Sequence, residues 1–261
     1  MISVTKSLAV SLCASFSLVE GYSNNKRGAA YNDIATVHLL QTAGTVSWAY
    51  NWGMAELNSL PCGIEFVPML WGPPFDNWQE MAEKSLAKGS TYILGFNEPD
   101  MSSQSNMIPS VAAANYRDYI TPFKERAKLV SPAVTSSISP GTGLDWLGKF
   151  MESCIDCSIS AAAVHWYGDS VDDFKLFVEN ATILARSHDL SEIWITEFAL
   201  NADIGGVADD EATTKFVQSV TSWLDSQTMV TRYSYFMCAE GYILTHGSVN
   251  TVGQAYASSR G

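Results

Sequence analysis

Tyr92-Ile93-Leu94-Gly95-Phe96-Asn97-Glu98-Pro99-Asp100 is a short apolar run that ends in a carboxylate followed by proline, and Ile193-Trp194-Ile195-Thr196-Glu197-Phe198-Ala199 has a similar pattern about a hundred residues later. Runs rich in β-branched and aromatic residues, bounded by turn residues, read as buried strands. A carboxylate where such a strand ends costs desolvation free energy unless a site uses it. Two of them, far apart in sequence, imply a pair brought together by a closed fold. Facing carboxylates are the machinery of glycoside hydrolysis, so the pair is a candidate for that chemistry.

Working outward, further strand-like runs are Arg27–Tyr31, Thr45–Tyr50, Ile64–Leu70, Lys128–Ser131, Ala161–His165 and Thr231–Met237, with the two glutamate strands at Tyr92–Phe96 and Ile193–Thr196. Amphipathic stretches separate them, most clearly Phe75–Lys88, Val111–Ala127, Gly143–Glu152, Val171–Ser187 and Asp209–Gln227. In the fourth, Phe174, Phe177, Val178 and Ala181 recur at helical spacing. Gly89, after Lys84 and Lys88, reads as a helix stop. Strand and helix alternating along the whole chain predict an α/β fold with a parallel sheet. Eight strands favour closure into a compact, slightly irregular (β/α)8 TIM barrel. The rival is an open doubly wound sheet, which usually has a glycine-rich loop after its first strand; here that position reads Asn32-Asp33-Ile34. The interval from Gly53 to Gly63 leaves room for only a short helix.

The 261 residues suit one such barrel. Apolar residues form 47% of the chain and charged residues 16%, which supplies a core and argues against disorder. A formal charge of −12 disfavours nucleic acid and anionic membranes as partners, since phosphate binding needs clustered Lys and Arg. Neutral polysaccharides carry no such penalty. Lys6 precedes an apolar stretch, Ser7 to Val19, that is too short for a permanent anchor; Val19 and Gly21 suit cleavage after Gly21. Residues 1–21 therefore read as a secretory signal, residues 22–261 as a single catalytic domain, and the mature protein as secreted, free of membrane and monomeric.

Cys13 would leave with that leader. Cys154 and Cys157 form a Cys-x-x-Cys pair. Redox use wants a thioredoxin-like context and zinc wants two further ligands; neither is present, so in an oxidising compartment a small structural disulfide is favoured. Cys62 and Cys238 read as plain buried thiols. Asn180-Ala181-Thr182 is a glycosylation sequon. No ligand spacing for a metal or cofactor occurs, and none is expected.

Barrel sites lie at the carboxyl ends of the strands. Those ends carry Trp52, Trp71, Asn97, Glu98, His165, Trp166, Tyr167, Glu197 and Tyr235. Aromatic faces pack against the C–H faces of sugar rings, while amides and carboxylates take hydroxyl hydrogen bonds. Of the two glutamates, one must stay protonated to donate to the leaving oxygen and the other ionised to attack the anomeric carbon. A lone Glu before Pro caps a turn as readily as it catalyses, and a lone buried Glu pairs with Arg as readily; the two together, on a tryptophan-rich rim, favour catalysis. His165 is assigned a supporting part. Trp78, Trp146 and Trp223 are expected in the core, and Trp194, at opposite parity to Glu197, is expected to face the helices.

Gly95-Phe96-Asn97-Glu98-Pro99-Asp100, His165-Trp166-Tyr167-Gly168 and Trp194-Ile195-Thr196-Glu197-Phe198-Ala199 together resemble the signature segments of glycoside hydrolase family 128. The resemblance runs from Lys26 to Tyr256. It implies a compact barrel and a retaining, mostly endo-acting β-1,3-glucanase, with Glu98 as acid/base and Glu197 as nucleophile. It further implies that Asn97 contacts the hydroxyl beside the anomeric carbon, that Tyr167 lies close to the nucleophile and that Trp166 is a subsite platform. The Cys154–Cys157 pair also occurs in fungal relatives. The partner implied is a β-glucan. Other readings are a wall-associated glucan-binding protein without turnover, or a hydrolase of another β-linked glucan or mannan.

Overall fold

The computed structural model describes residues 25–44 and 46–258. The leader assigned to residues 1–21 and its Cys13 lie outside the described residues.

Among the described residues, eight parallel strands alternate with helices except between β2 and β3: β1 (Gly28–Ala30), α1 (Ile34–Ala43), β2 (Trp48–Tyr50), β3 (Glu65–Phe66), α2 (Trp78–Ala87), β4 (Tyr92–Ile93), α3 (Pro109–Tyr119), β5 (Lys128–Val134), α4 (Gly143–Ser153), β6 (Ile159–Gly168), α5 (Val171–Ser187), β7 (Ile193–Leu200), α6 (Asp210–Ser226), β8 (Val230–Tyr235) and α7 (Thr251–Ala257). They form a three-stranded sheet, β1-β2-β3, and a five-stranded sheet, β4-β5-β6-β7-β8. Single parallel bridges link the two: Arg27 with Tyr233 on one side, Met69 with Leu94 on the other.

The short strands have local causes. Pro68 has no N–H to give the ladder, so regular pairing stops before it; its carbonyl still accepts from the Leu94 amide at 2.9 Å. Beyond β4, a Cβ on Gly95 would come within 2.7 Å of the Pro132 nitrogen, so only glycine lets the chain pass β5 at that point.

Helix boundaries follow capping chemistry. Asp209 caps α6 by accepting from the Glu211 and Ala212 amides, and Ser170 caps α5 by accepting from Asp173. The helix expected over Val111–Ala127 is interrupted. It ends at Tyr119 and gives way to a tight turn over Thr121–Phe123, because Pro122 cannot continue it. No helix forms between Gly53 and Gly63. Gly89 does end α2, with φ 109°.

Two buried clusters result. The larger lies between strands and helices and contains Trp78, Trp146, Trp166, Phe174, Phe198 and Tyr235. The smaller is drawn from inward-facing residues of both sheets, including Ala30, Trp48, Tyr50, Met69, Leu94, Ala161, Ala163 and Trp194. At its amino-terminal end, fully buried Glu65 pairs with Arg232, whose guanidinium lies 4.5 Å from the Tyr92 ring and 4.6 Å from Trp194. Trp194 thus faces inward, against expectation. A β-bulge at Thr196 inserts one residue between it and Glu197, so both point to the same side.

Cys154 and Cys157 are joined in a disulfide just beyond α4. Cys62 is also disulfide-bonded, which overturns its reading as a plain thiol. Cys238 is a buried free thiol whose pKa burial pushes up to about 12.

Candidate active site

At the carboxyl end of the strands, the strand ends and following loops of β1 to β8 surround a pocket of about 710 Å³, β6 contributing through Tyr167 inside the strand. Glu98 and Glu197 lie at its floor, 7% and 5% exposed. Glu98 follows β4 with φ +41°, a left-handed conformation uncommon for a non-glycine residue, and its amide donates to the Ala133 carbonyl at 2.7 Å. Glu197 is turned inward by the bulge in β7. His165, from β6, lies between them: its Nδ1 is 2.9 Å from Glu98 Oε1 and 3.4 Å from Glu197 Oε2. One ligand atom from each of the three residues falls within 4.8 Å of the others.

The two carboxylates are held differently. Trp52 donates its indole N–H to Glu197 Oε1 at 2.7 Å, and the Tyr167 hydroxyl donates to Oε2 at 2.5 Å. Among the described residues, Glu98 receives only His165. Burial alone would lower the imidazole pKa, but Glu197 and Glu98 outweigh it, and it lies above its ordinary value. Burial and then Glu197 keep the Tyr167 phenol well above the usual tyrosine range, so it remains a donor.

Asn97 gives an amide hydrogen to Gln104 Oε1 at 3.2 Å. Asp100 accepts from the Thr135 hydroxyl and from the Gly143 amide at 2.8 Å, fastening the loop that presents Ser136 and Ser137 to the pocket. Phe236 forms an aromatic wall, with its ring 6.0 Å from Trp52 and 5.6 Å from Tyr167.

The fold therefore brings together Trp52, Trp71, Asn97, Glu98, His165, Tyr167 and Glu197, all but His165 lining the pocket. Two residues assigned to the site are elsewhere. Trp166 is buried against α5 and α6, its ring 5.1 Å from Phe174 and 5.6 Å from Phe216. Tyr235 is buried against Phe198 and Tyr256. Alternation explains both: with His165 and Tyr167 inward, Trp166 must point outward, and with Ser234 inward so must Tyr235. The same rule would have found Phe236. Met101 and Gln104 come from loops and carry no periodic signal, while Met237, inside the strand-like run Thr231–Met237, lies just beyond the observed end of β8. No cation-ligand spacing occurs in the sequence, yet the Glu98–His165–Glu197 group could hold a small metal ion.

Residues 28–256 match the family model described as the glycosyl hydrolase catalytic core. Alkali-sensitive linkage protein 1 of Schizosaccharomyces pombe (strain 972 / ATCC 24843) is 31% identical over 228 residues; the match takes in 82% of this chain but only 40% of that relative's length. Among solved structures, a curdlan-specific exo-β-1,3-glucanase from Blastomyces gilchristii, of glycoside hydrolase family 128 subgroup III and in complex with glucose, is 40% identical. It superposes with a TM-score of 0.84 over 92% of this chain and 100% of its own. A subgroup II endo-β-1,3-glucanase from Sorangium cellulosum is 25% identical, with TM-score 0.74 over 90% of this chain and 99% of its own.

Proposed function

Because this chain belongs to glycoside hydrolase family 128 and is a glycosidase, we propose that it cleaves β-1,3-glucan by a retaining double displacement with Glu98 and Glu197. The observation that supports this most is the approach of the two carboxyls, within 4.8 Å at their nearest oxygens. Retaining enzymes hold the pair about 5–5.5 Å apart, whereas inverting enzymes leave a gap of roughly 6.5–9.5 Å for water.

In the first step a Glu197 oxygen attacks the anomeric carbon while the Glu98 carboxyl gives its proton to the glycosidic oxygen, and the leaving sugar departs. Glu98, now a carboxylate, takes a proton from water. That water attacks the same carbon, breaks the ester to Glu197 and releases a product with the original β configuration. The unequal donor sets suit these roles. Trp52 and Tyr167 hold both oxygens of Glu197 in place, while Glu98 keeps an oxygen free for a proton. His165 keeps the two carboxyls in register, Asn97 takes the hydroxyl beside the anomeric carbon, and Trp52 and Trp71 offer ring faces to the sugars.

The Blastomyces enzyme, 40% identical over nearly the whole length, favours exo action over the endo action expected from the sequence. The two sheets, bridged at Arg27–Tyr233 and Met69–Leu94, are read as one (β/α)8 barrel spanning a single domain over residues 22–261. We read the protein further as a secreted monomer; among the described residues no helix is long and apolar enough to cross a membrane. Asn180, exposed on α5, is its glycosylation site.

The test is product analysis on curdlan and laminarin. One small sugar released from the start, as the β anomer by proton NMR, is the expected result. A mixture of long products would make the action endo, and α anomers would remove the double displacement. No cleavage of any β-1,3-glucan would leave a binding protein, and turnover only on another β-linked glucan or mannan would reassign the substrate.

A further inference from the structure

The direction of Glu197 depends on one inserted residue. Val164 and His165 of β6 stand opposite Ile195 and Glu197, while Tyr233 and Tyr235 of β8 stand opposite Ile195 and Phe198. Thr196 is therefore surplus against β6, while on the β8 side Thr196 and Glu197 together stand against the single residue Ser234; Thr196 has no partner residue on either neighbouring strand. In an unbroken strand Glu197 would share the outward side of Ile193 and Ile195, because a one-residue slip reverses every side chain beyond it. A bulge that reverses a carboxylate must itself be held, since a buried carbonyl without a partner favours relaxation.

Tyr50, the last residue of β2, reaches across the interior to that point. Its ring is 1% exposed and lies beside Trp48 and Trp52, at 5.8 and 5.1 Å. Its hydroxyl donates to the Thr196 carbonyl at 2.9 Å. We propose that Tyr50 is a positioning residue: by pinning the bulge at Thr196 it aims Glu197 at the anomeric carbon. The inference rests on Glu197 being the nucleophile. Tyr50 acts through the backbone of β7, and its hydroxyl also lies within hydrogen-bonding reach of the Glu197 side chain, so its loss should slow attack by Glu197 more than it weakens substrate binding.

The experiment measures how fast an activated 2-deoxy-2-fluoro-β-glucoside labels Glu197, by intact mass and peptide mapping, in wild type, Tyr50→Phe and Tyr116→Phe. Tyr116 is the control. It is also fully buried, and its hydroxyl also donates to a strand carbonyl, that of Val130 at 2.9 Å, but it lines no part of the pocket. Tyr50→Phe should label about 10²-fold more slowly, the scale of a small misplacement of a reacting group, with substrate affinity within about threefold of wild type. Tyr116→Phe, with a similar loss of thermal stability, should label at the wild-type rate. Labelling of Tyr50→Phe at the wild-type rate overturns the inference, as does equal slowing in Tyr116→Phe. Wild-type labelling on a residue other than Glu197 overturns the assignment of the nucleophile instead. If Tyr50→Phe fails to fold, Tyr50→His keeps a ring donor on a side chain too short for Thr196; the same slowing is expected, and a wild-type rate would again overturn the inference.

Discussion

The interior of this molecule buries carboxylates at both ends, and the two ends treat them in opposite ways. At the amino-terminal end Glu65 is fully buried, takes the Arg232 guanidinium, and accepts from the Thr91 amide and hydroxyl at 2.6 and 2.8 Å. Trp48, Tyr92 and Trp194 close over the arginine. That carboxylate is matched by a permanent cation. At the carboxyl-terminal end two carboxylates share one imidazole and open onto a pocket. Among the described residues no arginine or lysine pairs with either. Burial alone does not separate a catalytic glutamate from a structural one; the permanence of its partner charge does.

If this contrast holds, removing a charge should cost activity at one end and stability at the other. The largest effect is expected for Glu197→Gln, with the rate on laminari-oligosaccharides falling by about 10⁴-fold or more. Its melting temperature should stay level or rise, since catalytic sites are rarely optimised for stability. A Glu197→Gln protein that unfolds early would break the comparison. Next, Arg232→Met strands Glu65 without its cation and should cost about 3–5 kcal/mol in denaturant unfolding, while the folded fraction keeps its kcat. Adding Glu65→Leu should recover most of that loss, because an apolar pair can replace a buried ion pair. Loss of activity in folded Arg232→Met would show that the two ends are coupled.

The sequence made the upper end more legible than the lower. Glu98 and Glu197 stand out because each follows an apolar run. Glu65 lies inside the run Ile64–Leu70, where an ionised residue among apolar neighbours was the available signal for its partner Arg232. Side-chain direction was legible only where the strand is regular. Alternation from His165 sends Trp166 outward, and from Ser234 it sends Tyr235 outward, although the chemistry of both side chains suits a sugar site. Trp194 is a different kind of miss. There alternation itself fails, because the bulge at Thr196 follows from contacts with β2, β6 and β8 and leaves no local pattern. The loop residues Gln104 and Met101 reach the pocket through tertiary contacts alone. Helix ends were easier, since capping residues and Pro122 act within a turn.

The two smaller predictions concern the groups that hold the upper end together. Tyr167→Phe removes one donor from Glu197 and should lower kcat by about 10²-fold with little change in fold, on the scale of losing one preorganised hydrogen bond. The smallest effect is one of pH and turns on His165. Burial lowers its pKa, but Glu197, Glu98 and Asp100 raise it further, so the folded value exceeds the ordinary one. A raised folded-state pKa means that the native protein holds the proton more tightly than the unfolded chain does. The stabilisation is complete below the unfolded-state value of about 6.5 and is lost as pH rises through the higher folded-state value. His165→Gln removes that linkage. The melting-temperature gap between wild type and His165→Gln should therefore be widest near pH 5, on the order of a few degrees, and narrow towards about pH 9. The lower end supplies the reference through the double variant Arg232→Met with Glu65→Leu, which leaves no unpaired carboxyl there; its difference from wild type should stay constant over the same range. A gap for His165→Gln that is equally flat would mean that its imidazole acts as a fixed neutral hydrogen-bonding group, and the contrast between titratable and permanent partners would then fail.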